Sequence, residues 1–142
     1  MLAAAEAEVH DLHRFLEGWL TGTLAPDART FARFADCLGV GFRIISPAGQ
    51  VTDREALCRE LHAAHGARAG EDTDFRIWIE HFRDVQEWPD HCLIAYQEWQ
   101  HFAGRTTARI STTLFGRRQD AADGVAWLHL HETWLAGHGP DA

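Results

Sequence analysis

The sequence predicts an α+β fold in which three amino-terminal helices cover one face of a curved antiparallel sheet. Apolar residues recur at helical spacing in the first half of the chain, whereas the second half contains four long runs that alternate with period two. The separators between these runs, WPDH, AG and RRQDAADG, are short enough for antiparallel hairpins. Helices first and a strand meander afterwards are the order typical of the α+β class.

Three helical segments occupy the first half of the chain. The first is predicted from an apolar stripe that ends at Gly22, a residue suited to closing a helix. The stripe consists of Val9, Leu12, Phe15, Leu16, Trp19 and Leu20. Apolar residues at i, i+3, i+4 and i+7 from Phe31 predict a short second helix that closes at Gly39. The third helix is predicted to start at the capping box TDRE, residues 52–55, and to end at Gly66.

A short strand is predicted between the second and third helices, and four long strands follow the third helix. The short strand covers 42–47 and ends at Pro47, which cannot donate a ladder hydrogen bond. The long strands are predicted at about 74–86, 91–102, 105–116 and 125–135. We expect residues 1–142 to form one domain, because a chain of this length buries roughly two thirds of its unfolded surface.

Composition and charge argue against several classes of function. The formal net charge of −8 disfavours binding to nucleic acid or to an anionic membrane surface, since both need a basic patch. The amino terminus has no basic leader, and no stretch approaches the ~20 apolar residues of a membrane span. Cys37, Cys58 and Cys92 are odd in number and form no C-x-x-C, so we expect reduced thiols and a cytoplasmic location.

The last predicted strand, VAWLHLHETW at 125–134, separates two kinds of side chain, because alternate residues face opposite sides of a sheet. One face has Val125, Trp127, His129, His131 and Thr133, and the other has Ala126, Leu128, Leu130, Glu132 and Trp134. The second face is apolar except for Glu132, which predicts that it lies under the helices. A carboxylate on such a face requires a partner, because an unpaired buried charge is costly.

The predicted turns suggest that partner. If AG at 103–104 is a two-residue turn, Glu98 lies opposite Arg109. The two flanking hairpins then place Arg109 opposite Glu132 and His81 opposite Glu98, with cross-strand neighbours ~5 Å apart. One interpretation of this row is a structural ion-pair network that fixes the sheet register. The other is a functional site, in which the guanidinium lowers the pKa of one carboxyl and orients a water or ligand oxygen.

The pair His129-x-His131 points two imidazoles to one side of a strand, as a zinc or iron site would require. Such a site needs a third ligand, but the neighbouring strand presents only Ile110, Thr112 and Leu114 on that face. We therefore expect no metal site. The two histidines are interpreted as partly buried residues at a sheet-to-sheet interface.

Three leading helices, the segments F..ISPAGQVTDREAL and R.ST..F.RR, and the closing strand W.H.H.T resemble the nuclear-transport-factor-2-like superfamily. Its relatives include SnoaL-like polyketide cyclases, ketosteroid isomerase, limonene epoxide hydrolase and the association domain of calmodulin-dependent kinase. The resemblance covers roughly residues 8–135. It implies a cone, a cystatin-like α+β barrel, in which a bent sheet and its helices enclose a pocket and the sheet's other face makes a dimer.

The row of charges is also similar to the acid–arginine–acid arrangement that activates water in limonene epoxide hydrolase, although here the acids are glutamates spread over three strands. Glu132, Arg109 and Glu98 are accordingly the expected catalytic residues. The expected ligand-binding residues are Tyr96, His81, Ser111 and Thr113. We expect an apolar small-molecule ligand and general acid–base chemistry without metal or organic cofactor, as in a cyclase, isomerase, dehydratase or hydrolase. The alternative is a non-catalytic assembly or ligand-sensing module like the kinase association domain.

Dimerisation is expected through the outer sheet face, which is the face opposite the helices. The inferred registers gather there Trp78, Phe82, Leu93, Trp99, Ile110, Leu114 and Trp127. This apolar patch is larger than soluble monomers normally expose, and a twofold pairing would bury it together with His129 and His131. Because histidine has an ordinary pKa of ~6.5, we expect the dimer to weaken as the pH falls through that range.

Overall fold

Three helices and six strands form the structure of residues 1–141, the part of the chain that the computed structural model describes. The helices are α1 (Leu2–Thr21), α2 (Ala28–Ala35) and α3 (Arg54–Ala63). The strands are β1 (Leu38–Ile45), β2 (Val51–Asp53), β3 (Arg76–Glu87), β4 (His91–Phe102), β5 (Arg105–Arg117) and β6 (Val125–Trp134). The predicted α+β class is confirmed, and the four long strands lie within about two residues of their predicted positions.

The strands form one open, mixed sheet in the order β2–β1–β6–β5–β4–β3. Strands β3 to β6 make the predicted antiparallel meander, but β1 runs parallel to β6. The prediction of a wholly antiparallel sheet was wrong at this pair. The two strands are far apart in sequence, so no short hairpin determines their relative direction. The three-residue strand β2 was not predicted, and the sheet does not close into a barrel.

The end of α1 follows the predicted signal, whereas the bounds of α2 and α3 differ from it. Gly22 adopts φ 78° and its N–H donates to the Trp19 carbonyl at 3.1 Å, which closes α1 as expected. The helix α2 ends at Ala35 rather than at Gly39. Gly39 instead lies in β1, where a Cβ would stand 2.9 Å from the Leu128 side chain. A larger residue there would displace the Leu128 side chain and crowd the Trp127 carbonyl oxygen, which would stand 3.1 Å from its Cβ.

The predicted capping box at the start of α3 was wrong by one residue. Thr52 belongs to β2, where it pairs with Ile44, so it is not the cap. The carboxylate of Asp53 accepts from the Ala56 N–H at 2.8 Å and caps the helix instead. The helix then ends at Ala63, earlier than predicted.

A β-bulge in β6 reverses which residues face the helices. Leu114 pairs with His129 and Phe115 pairs with Trp127, so Leu128 is an extra residue between these pairs. Trp127 is therefore 1% exposed and faces the helices. Its predicted place on the outer face was wrong, because strict alternation fails across a bulge.

A second bulge, in β3, displaces His81 from its predicted place. The bulge lies between the pairs Glu80–Gln97 and Arg83–Ala95. Ile79, not His81, lies opposite Glu98. His81 has φ 56° and is exposed, so its predicted ligand-binding position was wrong. Phe82 packs against the buried core, so its predicted place on the outer face was wrong as well.

The inner face of the sheet packs against α1, and a buried ion pair ties this helix to its neighbours. Glu8 in α1 is fully buried, and its carboxylate lies 2.8 Å from the Arg33 guanidinium in α2. The Trp127 indole N–H donates to the same carboxylate at 2.9 Å. This contact joins α1, α2 and β6 around one charge and orients α1 over the sheet.

None of the helices within residues 1–141 is both long enough and apolar enough to span a membrane.

Candidate functional site

A cavity of about 180 Å³ lies between the helices and the inner face of the sheet. Most of its wall is apolar. These apolar residues are Leu12, Leu16, Phe34, Leu38, Phe42, Ile44, Leu57, Leu61, Trp127 and Leu130. The remaining lining residues are His13, Tyr96, Glu98, Arg109 and Glu132. We call His13, Glu98, Arg109 and Glu132 the polar wall.

The predicted row of Glu98, Arg109 and Glu132 is present on the inner face. Glu98 lies directly opposite Arg109, as the two-residue turn predicted, and the Arg109 Nε stands 3.5 Å from a Glu98 oxygen. The Arg109 Nη1 donates to Glu132 Oε1 at 3.2 Å. One guanidinium therefore bridges two carboxylates that are 6% and 5% exposed.

The predicted pairing of β5 with β6 was nevertheless wrong by two residues. Trp134 lies opposite Arg109, and Ser111 lies opposite Glu132. The bulge at Leu128 accounts for one of these residues, and the last hairpin accounts for the other because it closes at the pair Arg117–Val125. A shift of two keeps every side chain on its face, so the long arginine still reaches Glu132 diagonally. The guanidinium carbon of Arg109 also lies 4.9 Å from the centre of the Trp134 ring, and this cation–π contact restrains the guanidinium.

A histidine from α1 completes the polar wall. His13 Nε2 lies 2.8 Å from Glu98 Oε1, and His13 Nδ1 lies 2.6 Å from the Val9 carbonyl oxygen. A neutral imidazole has one N–H, so a doubly protonated His13 best satisfies two acceptors. The second Glu98 oxygen accepts from the Gln100 amide at 2.7 Å.

The pKa values of His13 and Glu98 are shifted in the directions that favour an ion pair, in agreement with their 2.8 Å separation. Burial alone lowers the pKa of His13, but the hydrogen bond and charge of Glu98 outweigh it and raise that pKa above its ordinary value. Burial likewise opposes ionisation of Glu98, yet His13, Arg109 and Gln100 lower the pKa of Glu98 to about 2. The pKa shifts of both groups therefore favour their charged forms, an imidazolium and a carboxylate that attract each other.

Glu132 behaves in the opposite way. Burial raises the pKa of Glu132 to about 7, and the negative charge of Glu98 acts in the same direction. Arg109 opposes both effects through its charge and its hydrogen bond, without cancelling them. Near neutral pH this carboxyl therefore exchanges a proton, which is the property that general acid–base chemistry requires.

Of the four predicted ligand-binding residues, only Tyr96 lines the cavity. Tyr96 is 1% exposed and lines the cavity, and its hydroxyl makes no hydrogen bond with any residue from 1 to 141. Ser111 is fully buried behind Glu132, with its hydroxyl 3.4 Å from a carboxylate oxygen. Thr113 is fully buried too, and its hydroxyl has no partner in the described part of the chain. Neither Ser111 nor Thr113 lines the cavity, and His81 lies outside it.

His13 lines the cavity but was not predicted from the sequence as a member of the site. The signal was present, because His13 follows Val9 by four residues and Leu12 by one and so interrupts the apolar stripe of α1. A titratable side chain in such a stripe needs a buried partner. Its partner is 85 residues away in the chain, so only the packing of α1 on β4 identifies it.

His129 and His131 are both exposed and lie on the outer face, away from the cavity. Across the sheet from them are Leu114 and Thr112. Within residues 1–141 no three ligand-type side chains converge on a point that would hold a metal ion. The polar residues that line the cavity are instead His13, Tyr96, Glu98, Arg109 and Glu132.

Replacing Arg109 tests how strongly the two buried carboxylates depend on their shared cation. We expect Arg109→Leu to lower the free energy of unfolding by about 3 kcal/mol, because both carboxylates then lose a buried partner. Urea denaturation measures the change. Arg117→Leu, at the exposed end of the same strand, is the matched control and should change stability by less than about 0.5 kcal/mol. Equal losses in the two variants would contradict a buried role for Arg109.

Comparison with known proteins places the chain in a family. Residues 5–136 match the family described as sucrose-6-phosphate phosphohydrolase C-terminal. The chain is 25% identical over 131 residues to sucrose-phosphatase 2 from Nicotiana tabacum. That match covers 92% of this chain but 30% of the tobacco protein, so the similarity concerns one part of the tobacco protein.

Solved structures show the same architecture. An NTF-2-like protein of unknown function from Pseudomonas aeruginosa has a TM-score of 0.81 at 27% identity, and the match covers 93% of this chain and 98% of that chain. A CaMKII hub from S. rosetta has a TM-score of 0.58 at 12% identity, over 78% and 83% of the two chains, which shows the fold alone. The predicted nuclear-transport-factor-2-like fold is confirmed, and the chain belongs to the sucrose-6-phosphate phosphohydrolase C-terminal family.

Proposed function

We propose that the protein binds a small, mainly apolar molecule in the cavity and moves a proton on it with Glu132. The observation behind this proposal is the Glu132 carboxyl, which is 5% exposed in a largely apolar cavity, where burial and the charge of Glu98 raise its pKa to about 7. A group whose pKa lies near the working pH is the most effective general acid or base. The reactions within reach are those of a cyclase, isomerase, dehydratase or hydrolase, which need proton transfer but no redox step.

Each polar side chain has a separate part in this proposal. Ionised Glu132 accepts a proton from a carbon next to a carbonyl, or from a water molecule, and later returns it to the product. Tyr96 forms part of the cavity wall beside the ligand, and burial raises the pKa of Tyr96 well above its ordinary value, which keeps its hydroxyl protonated. Arg109 and the ion pair of His13 with Glu98 supply fixed charges that do not reorganise during the reaction.

Exchange of carbon-bound hydrogen for deuterium tests the proton transfer without knowledge of the natural substrate. We expect the protein to accelerate exchange at the carbon next to the carbonyl of cyclopentanone in heavy water, measured by proton NMR. Glu132→Gln should reduce the acceleration at least ~100-fold, the contribution typical of a general base. The base is the ionised form, so the rate should rise with pH and reach half its maximum near pH 7.

The controls for this experiment separate chemistry from folding. Glu87→Gln makes the same chemical change at an exposed position of β3 and should keep the full rate. Glu132→Gln keeps the side-chain volume and one acceptor oxygen, so its melting temperature should stay close to that of the unaltered protein. Exchange that persists in a folded Glu132→Gln variant would contradict the assignment of the base.

A non-catalytic assembly or ligand-sensing role is the second candidate. It is favoured by the family, whose description refers to the C-terminal part of a phosphohydrolase, and by the fold shared with a kinase hub. We propose that such assembly uses an outer patch, which consists of Trp78, Leu93, Trp99, Ile110 and Leu114. The Trp78 and Trp99 rings are stacked there with centroids 6.1 Å apart, and all five residues are partly exposed. Apolar side chains grouped in this way favour twofold pairing, with His129 and His131 at the side of the patch.

Sedimentation velocity at micromolar protein and pH 8 tests the outer patch. We expect a dimer for the unaltered chain and a monomer for Ile110→Arg, because a charge at the centre of the patch would be buried without a partner. Val40→Arg is the matched control, since Val40 is 93% exposed in β1 and lies outside the patch, and it should remain dimeric. A monomer for the unaltered chain under these conditions would remove the proposed interface.

A further inference from the structure

A second cleft, of about 240 Å³, adjoins the cavity and shares Arg109 with it. Two other arginines, Arg68 and Arg105, line this cleft together with Gln100, Thr107 and Trp134. No carboxylate is among its lining residues within 1–141. Three arginines thus line one cleft in a chain whose formal net charge is −8.

Neither Arg68, which is half-buried, nor Arg105, which is exposed, has an ionic partner within residues 1–141. Arg68 forms no ion pair in the described part of the chain. Its guanidinium carbon lies 4.8 Å from the ring centres of Phe75 and Phe102, and its Nη1 donates to Gln100 Oε1 at 3.1 Å. Arg105 is exposed and donates to the Pro140 carbonyl, and no ion pair involves it within residues 1–141.

Arg109 has a free donor as well. Its Nε faces Glu98 and its Nη1 donates to Glu132, whereas its Nη2 makes no hydrogen bond with any residue from 1 to 141. The Arg109 guanidinium carbon lies 4.9 Å from the centre of the Trp134 ring, and this contact restrains the guanidinium. A guanidinium held in this way offers N–H donors in a rigid geometry that suits phosphate and carboxylate oxygens.

The electrostatics of the cleft favour an incoming anion. Burial lowers the pKa of Arg68, and the positive charge of Arg109 acts in the same direction, while Glu98 opposes them. Like charges that are only partly compensated repel one another, and an anion between them would relieve the repulsion. The exposed Arg105 leaves one side of the cleft open to solvent.

We propose that this cleft binds the phosphate or carboxylate group of an organic ligand whose small apolar body occupies the adjoining cavity. The proposal deepens the proposed function and rests on it, because the body must lie beside Glu132 for a proton to move. An apolar protein cavity of about 150 Å³ is large enough for one benzene ring, and the cavity here measures about 180 Å³. The ligand class is therefore a phosphate monoester or carboxylate of a molecule with one small ring.

The cleft and the polar wall are physically connected. Gln100 accepts from Arg68 and donates to Glu98, and Arg109 borders both spaces. An anion that binds Arg68 and Arg109 is thus separated by Gln100 from Glu98, whose charge adds to the rise that burial causes in the pKa of Glu132. Thr107 supplies a hydroxyl at the cleft wall as a further donor.

Isothermal titration calorimetry at constant ionic strength tests the site with four probes: phenyl phosphate, benzoate, inorganic phosphate and phenol. We expect phenyl phosphate to bind more tightly than inorganic phosphate or phenol, since it engages the cleft and the cavity together. Benzoate tests whether a carboxylate replaces the phosphate. Arg105→Gln should weaken phenyl phosphate about tenfold or more, the effect of losing one charge-assisted hydrogen bond.

Matched variants guard against loss of folding. Arg83→Gln removes the same charge from an exposed position of β3 outside the cleft and should leave every affinity unchanged. Arg68→Gln should weaken the binding of both phenyl phosphate and inorganic phosphate. Arg105→Gln provides the same test at an exposed position, where a substitution does not threaten folding. The anion site would be overturned if the affinities for the phosphates and for benzoate were the same in the unaltered chain and in the Arg105→Gln and Arg68→Gln variants.

Two results of these titrations separate the anion site from the proposed use of the cavity. If phenol binds, but the affinity for neither anion depends on Arg105 or Arg68, the anion site is overturned. The proposed use of the cavity is then retained. Inorganic phosphate that binds as tightly as phenyl phosphate, with no binding of phenol, would overturn the placement of the ligand's body in the cavity.

Discussion

The ion pair between His13 and Glu98 is the interaction on which the candidate site depends. It joins α1 to β4 at 2.8 Å, inside the protein, where neither group would stay charged alone. Each keeps its charge because of the other, and Arg109 and Gln100 add to the stabilisation of Glu98. Burial raises the pKa of the neighbouring Glu132, and the negative charge of Glu98 adds to this rise, because one arginine cannot fully neutralise two buried carboxylates.

The two carboxylates thereby acquire different properties from similar surroundings. The pKa of Glu98 is about 2 and that of Glu132 is about 7, so one is a fixed charge and the other a proton carrier near neutral pH. A pair of acids with pKa values driven apart by their environment is a recurrent arrangement in acid–base enzymes. The apolar wall of the cavity maintains the difference, since it keeps water from screening these charges.

Much of this arrangement follows from sequence patterns, and its failures have local causes. Alternation placed Glu132 on the inner face, and the two-residue turn after Phe102 placed Glu98 opposite Arg109, both in agreement with the structure. Bulges have no clear signal in the alternation, so the positions of His81 and Trp127 were wrong. His13 was missed because its contact with Glu98 arises from the packing of a helix on the sheet, which no local pattern encodes.

The protonation of Glu132 is the central claim, and a carbon-13 NMR titration of the glutamate side-chain carboxyls measures it directly. The Glu132→Gln variant identifies the resonance by its disappearance. The structure predicts that this carboxyl titrates near pH 7, well above the ordinary value of 4.5 for glutamate. A Glu132 resonance that titrates at or below its ordinary value in the folded protein would contradict the account.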